Sequence, residues 1–220
     1  MSDVKEAYRK RFDERELQRK EGIWRILVKH FFQKYVSKDA VVLDVGAGYC
    51  EFINNVECKE KHALDINLDM KRKAGYDVEC HVKECTDLGC FMAGYFDIVF
   101  TSNMFEHMHV RADILSTLKQ MHRILKPDGK LLIMQPNMRY VGSAYWDFFD
   151  HNIPLSHLSM VDALTESGFE VCELRSRFLP YTTKGYVSVP LFFLYFYLKS
   201  GLLQRLFGKQ MFIVAKRRLE

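Results

Sequence analysis

From Ala40 onward, short apolar runs alternate with stretches of helical period, the rhythm of βαβ units around a parallel sheet. Strands are predicted at Val41 to Val45, His62 to Ile66, Val78 to Lys83, Asp97 to Thr101 and Lys130 to Gln135. Between the last two, Ala112 to Leu125 reads as a helix that stops at Lys126-Pro127-Asp128-Gly129, where proline and glycine break it. Ahead of the sheet, Tyr8 to Tyr35 is a long helical stretch with apolar residues at Ile23, Ile26, Leu27, Phe31 and Phe32. After Pro136 aromatic and polar residues mix from Tyr140 to His157, a loop region suited to an acceptor. A helix over Leu158 to Ser167, a strand over Glu170 to Arg175 and a closing strand over Met211 to Ala215 follow. One domain is expected, with a helical cap at 1–38, a ligand-binding core at 39–137 and an acceptor side at 138–220.

The segment Tyr186 to Phe207 stands apart, because Leu191 to Leu198 is wholly apolar and aromatic. Lys199 interrupts it well before the ~20 residues that a bilayer span requires. Runs of this length usually form core, so the first expectation is a buried helix packed on the sheet. A lid over an acceptor pocket is the second reading. The third is a peripheral membrane contact through 187–207, near Lys199, Arg205 and Lys209, which suits a lipid-linked acceptor.

Composition narrows the field. At 220 residues, 48% hydrophobic and 27% charged, the chain suits one folded α/β domain and is too short for two independent cores. The net charge of +4 gathers partly at Lys209, Lys216, Arg217 and Arg218, without the aromatic-interleaved basic stripe of a nucleic-acid surface. Met1 to Arg15 is dense in charge and lacks the apolar core of a signal peptide, so a cytoplasmic protein is expected. The six cysteines include no C-x-x-C pair. Cys80, Cys85 and Cys90 recur at intervals of five without close ligand pairs, so reduced thiols and no metal are expected.

The chemistry begins at Leu43-Asp44-Val45-Gly46-Ala47-Gly48-Tyr49, predicted to end a strand and open a helix. Glycines at 46 and 48 let the backbone bend sharply and approach a ligand. The helix N-terminus would then offer free N–H groups. Asp44 sits where a carboxylate takes hydrogen bonds from an ammonium group or from the turn itself. Asp65, at the end of the second predicted strand, is spaced to accept bonds from both hydroxyls of an adenosine ribose. Its competing role is to cap the helix that follows. An NAD-dependent oxidoreductase would want a third glycine at position 51, where this chain has Glu51, a bulky anion opposed to a pyrophosphate.

From about Val42 to its end the chain resembles the class I S-adenosylmethionine-dependent methyltransferases, in particular the bacterial branch grouped with methyltransferase type 11 domains. The resemblance rests on Leu43-Asp44-Val45-Gly46-Ala47-Gly48, Asp65, Glu84-Cys85-Thr86-Asp87-Leu88, Phe96-Asp97-Ile98-Val99, Phe105-Glu106-His107 and Arg123-Ile124-Leu125-Lys126-Pro127-Asp128-Gly129. It implies a Rossmann-like, seven-stranded, mostly parallel α/β sheet with an antiparallel last strand and helices on both faces. It also implies S-adenosyl-L-methionine as cofactor, the methionine portion near Asp44, Gly46 and Gly48 with Ala47 and Tyr49 beside them. Ribose would rest on Asp65, adenine beside Ile66, Glu84, Cys85 and Thr86, and Asn103, Met104 and Phe105 would line the cofactor after the fourth strand. The chain departs from the family at Cys50 and Asp128, where glycine is usual. The segments Tyr145 to His151 and Phe178 to Thr182 resemble a subgroup associated with polysaccharide assembly.

Methyl transfer to a small-molecule, glycan or lipid-linked hydroxyl is the implied reaction, and a general base would take the hydroxyl proton. His151, next to Asp150, is the first candidate for that base and His157 the second; each competes with the role of a loop histidine bonded to backbone. His107 is expected to stabilise the loop or the cofactor, and His109 to be exposed. Tyr8 and Arg11 would close over the cofactor or form a solvated face. The rival readings are an NAD-dependent oxidoreductase and an adenosine-binding protein without catalysis.

Overall fold

A computed structural model describes residues 14–181 and 190–218. Tyr8, Arg11, Thr182 and the segment from Tyr186 to Val189 lie outside the described residues.

The described residues form one seven-stranded sheet in the order β3-β2-β1-β4-β5-β7-β6. Its strands are β1 (Val41–Val45), β2 (Glu60–Asp65), β3 (Val78–Val82), β4 (Phe96–Ser102), β5 (Leu125–Pro136), β6 (Phe169–Arg175) and β7 (Gln210–Arg217). The first five run parallel, whereas β7 pairs antiparallel with both β5 and β6. Each predicted strand therefore exists, shifted by one or two residues at its ends, except that β5 begins five residues early, at Leu125, and takes in the predicted breaker Lys126–Gly129. Central β1 is buried along its whole length, as expected of a strand covered on both faces.

Alternation along β1 and β5 feeds two cores. Leu43, Val45, Leu131 and Ile133 face α3 (Arg111–Ile124) and α5 (His157–Glu166) through Leu118, Met121 and Leu164. Val42, Leu132 and Met134, with Phe100 of β4, face α1 (Glu14–His30) through Trp24, Leu27 and Val28, and Met70 of the short α2 (Met70–Lys73) joins the same core. The predicted leading helix is thus a layer on the sheet; it stops at His30 and continues as a 3-10 turn at Phe32–Tyr35. Helix α3 ends at Ile124 because Lys126, preceding Pro127, is disfavoured in helical geometry. Helix α5 starts where Ser156 and Ser159 form a reciprocal capping box and ends before Gly168, at φ +87°.

Three expectations are corrected. No regular helix follows the glycine pair: residues 48–55 run as successive turns after Cys50 adopts φ +63°, which interrupts helical geometry. The stretch from Tyr140 to His157 is not all loop, since α4 (Met138–Val141) and a 3-10 helix (Gly142–Asp147) open it. The apolar run is not a buried helix. It forms α6 (Phe192–Lys199), followed by α7 (Gly201–Phe207), with Phe192 and Phe196 each 58% exposed. Only one flank of α6 packs, through Leu198 into the core and through Leu191, just ahead of the helix, against the bare backbone of Gly22. No described helix is long and apolar enough to cross a membrane.

Phe100 stacks on Phe52 with ring centroids 3.7 Å apart, at the centre of the α1-side core. Phe100→Ala should lower unfolding stability by ~3 to 5 kcal/mol, read as a fall in the urea midpoint at unchanged slope.

Candidate functional site

The order of strands reverses direction between β1 and β4, and a crevice at the carboxyl ends of the strands on either side of such a switch point is where ligands bind in open α/β sheets. The glycine pair lies there. Gly46 and Gly48 have φ of +73° and +54°, a left-handed conformation that glycine adopts without steric cost. The bend is tied to β2: the N–H groups of Gly46 and Ala47 both donate to the Leu64 carbonyl, at 2.8 and 3.1 Å. The Gly48 N–H donates to Asp65 Oδ2 at 2.7 Å, and the Asn67 N–H donates to Asp65 Oδ1 at 2.7 Å. Burial pushes the Asp65 carboxyl up from its ordinary value, and these backbone donors pull it back.

Asp44 is buried at the end of β1, where burial, with the charges of Glu51 and Asp65, holds its carboxyl well above the ordinary range; the Ile53 N–H bonds to it. The Ile53 bond corresponds to the second of its two expected roles, toward the turn. Glu51, offered above as an anion facing a phosphate, turns away to Lys20 of α1 at 2.6 Å. Cys50 is buried and holds φ +63° where glycine would be unstrained; its N–H bonds to the Ala47 carbonyl at 2.7 Å. The Tyr49 ring lies under Lys73 Nζ, 5.5 Å from the ring centroid.

Other predicted ligand contacts surround this bend. Ile66, directly after Asp65, leaves its apolar side chain 45% exposed. Beyond β3, Glu84 is exposed, Thr86 bonds to it at 3.5 Å, and Cys85 packs half-buried on the core, which raises its thiol to about 11. Asn103, at φ +50°, follows β4. Met104 covers Gly46 so closely that a Cβ there would stand 2.9 Å from Met104 Cγ. Phe105 is enclosed in the core and supports the loop; with no exposed surface it does not line the crevice.

A second group sits where the chain leaves β4. A carboxylate oxygen of Glu106 and one ring nitrogen each of His107 and His151 lie within 4.8 Å of one another. His107 Nδ1 is 2.9 Å from the Asp150 carbonyl oxygen and 3.4 Å from Asp150 Oδ2. Asp150 therefore holds His107 chiefly through its backbone carbonyl, with its carboxylate nearby. The His151 ring stacks on Phe148 at 5.1 Å, lies 4.6 Å from the Tyr145 ring, and places Nδ1 3.3 Å from Tyr181 Oη. His157 belongs to a different network. Its Nδ1 is 3.0 Å from Asn137 Nδ2, whose amide also donates to the Ser176 carbonyl, so the ring ties α5 to the end of β5. Burial, then Arg139, lowers its pKa.

Glu106 was missed as a candidate although Phe105-Glu106-His107 was read as a motif, because sequence gives no sign that an acidic side chain points inward. It is buried, accepts a bond from Gln135 Nε2, and its carbonyl receives the N–H groups of Asn152 and Ile153. Burial raises its carboxyl. A separate hollow of about 520 Å³, lined by Asp39, Asp97, Lys126 and Asp128, lies at the opposite, amino ends of the strands, away from both groups. Lys126 already pairs with Asp97 there at 2.8 Å.

Residues 43–133 match the model of a family described as a methyltransferase domain. A stretch of 114 residues is 32% identical to an uncharacterized protein of Methanocaldococcus jannaschii; it is 51% of this chain, and the chain spans about half (46%) of that relative's length. The fold is similar to an Archaeoglobus fulgidus SAM-dependent methyltransferase, with TM-score 0.66, 19% identity and coverage of 88% of this chain and 92% of that one. It is also similar to a Haloferax volcanii methyltransferase solved with the Trm112 methyltransferase activator, with TM-score 0.64, 20% identity and coverage of 88% and 90%.

The raised Glu106 carboxyl gives a pH prediction. Between the ordinary value of 4.5 and its higher folded value the native state holds more protons than the unfolded state, so this group's contribution falls as pH rises. Glu106→Gln removes that dependence. Its stability relative to wild type should improve as pH rises from 4.5 through the raised folded value and level off beyond it, as read by urea denaturation at each pH.

Proposed function

From a chain whose residues 43–133 match the methyltransferase domain family and whose sheet has the class I methyltransferase architecture, we propose that the protein transfers the methyl group of S-adenosylmethionine to an acceptor hydroxyl. The observation that carries this reading is the Asp65 carboxylate bonded across to the glycine bend at the switch point. The residues present fit the cofactor. The bend at Gly46 and Gly48 carries no side chain to obstruct an amino-acid tail, and Asp65 has lone pairs to spare for ribose hydroxyls. Ile66 offers an exposed apolar face to adenine, with Glu84, Cys85 and Thr86 in the loop beyond β3.

When bound, the cofactor supplies a sulfonium methyl already activated for transfer, so the protein's task is to align donor and acceptor. His151 takes the proton of the acceptor hydroxyl. Phe148 and Tyr181 fix its ring, and His107, held by Asp150, stands beside it with Glu106.

A lipid-linked acceptor is the version of this reading that the exposed rings favour. Phe192, Phe196, Leu202, Leu206 and Phe207 leave an apolar surface on α6 and α7, and Lys199, Arg205 and Lys209 are spaced along the same segment to meet anionic headgroups. The protein should bind anionic vesicles in sedimentation at low salt, and Phe192→Ser with Phe196→Ser should abolish that binding. Absence of binding by the parent chain rules out the membrane contact.

Titration calorimetry should detect S-adenosylhomocysteine and not NAD. Asp65→Ala should weaken the former ~10-fold or more, the loss of a charged hydrogen-bond acceptor; an unchanged dissociation constant would end the cofactor assignment. His151→Ala should leave that constant intact and lower transfer of radiolabelled methyl into a lipid extract by ~10²- to 10⁴-fold.

A further inference from the structure

Away from the crevice, the middle of β2 and the edge strand β3 bring together side chains that no reading above uses. The register sets His62 opposite Glu79 and Leu64 opposite His81, so Glu60, His62, Glu79 and His81 share one face of the sheet. His62 Nδ1 and His81 Nε2 are 3.1 Å apart. Glu79 places Oε2 3.6 Å from His62 Nδ1 and Oε1 3.5 Å from His81 Nε2. Two nitrogens sharing one tetrahedral zinc at ~2.0 to 2.1 Å stand roughly 3.3 Å apart, so the three donors are spaced as ligands of a single ion.

The next layer fits as well. Glu60 Oε1 lies 2.7 Å from His62 Nε2 and also receives the Tyr95 hydroxyl. A carboxylate there makes Nε2 the protonated nitrogen, which leaves the Nδ1 lone pair aimed at His81. A carboxylate behind a ligating imidazole is the usual outer partner of a zinc histidine. The His62 ring is held edge-on by Phe91 and Phe96, whereas Glu79 is exposed, so an ion could enter from solvent and keep a water as its fourth ligand.

We propose that His62, His81 and Glu79 form a zinc site that clamps edge strand β3 to β2. Two imidazoles and one carboxylate suit zinc over magnesium or calcium. Asp65 lies three residues beyond His62 on the same strand, and the Lys83 N–H bonds to its carbonyl at 3.2 Å. The clamp therefore secures the base of the strand end that bears Asp65 and of the turn after β3 that leads to Glu84.

The test uses the whole chain, freed of metal by chelator and titrated with Zn²⁺ alone by calorimetry, with Co²⁺ absorption reporting the ligand field. One ion per chain is expected, together with a rise in Tm on adding Zn²⁺. His81→Gln and Glu79→Gln, on the more accessible side chains, should each weaken binding by ~10-fold or more and cancel the rise; Glu60→Gln should weaken it by ~10- to 100-fold. Equal affinity in wild type and the Glu79→Gln/His81→Gln double variant overturns the proposal. So does binding that survives in that double variant and is lost in His107→Gln, which would put the ion beside Glu106.

Discussion

The Asp65 carboxylate, part-buried at the end of β2, is the tie on which the rest of the crevice depends. One oxygen receives the N–H of Gly48 and the other that of Asn67, so one side chain fixes both the bend after β1 and the start of the loop after β2. A buried carboxylate without such donors would be costly, and with them it becomes a rigid corner. Because the Leu64 carbonyl also takes two N–H groups from the bend, the loop is held by three bonds to a single neighbouring strand. Met104 closes over Gly46 from β4, and the left-handed glycine leaves it room.

Much of this was legible in sequence because it is local. Strands β1 to β5 announce themselves as apolar runs bounded by breakers, and Gly46, Gly48 and Asp65 are recognised by spacing along adjoining βα units. Three features were illegible for physical reasons. Cys50 looks compatible with a helix, and only its left-handed backbone explains why turns replace one. The rings of α6 have the composition of core, yet helices α1 and α3 already cover the sheet, so most of them are left outside. His62 and His81 are nineteen residues apart and meet only through the register of two parallel strands, which no pattern within one strand can give.

The two histidine clusters differ in what surrounds them. Glu106, His107 and His151 sit at the carboxyl ends of the strands, where loops hold the side chains and aromatic rings limit their motion. His62, Glu79 and His81 sit within strands, where the backbone ladder sets the spacing and leaves the side chains little freedom. A loop-borne cluster can adapt to a substrate, whereas a strand-borne one favours a fixed occupant.

The placement of β7 has a consequence for how the molecule is made. It follows β6 in sequence, yet it lies between β5 and β6 and pairs with both. During synthesis β1 to β5 can associate as they leave the ribosome, but β6 has no neighbour until residues near 217 have emerged. Until then β5 presents an open row of backbone donors and acceptors, a template for pairing with another nascent chain. Closing the sheet is therefore a long-range event, and the interval before it is when the open edge of β5 is most exposed to mispairing.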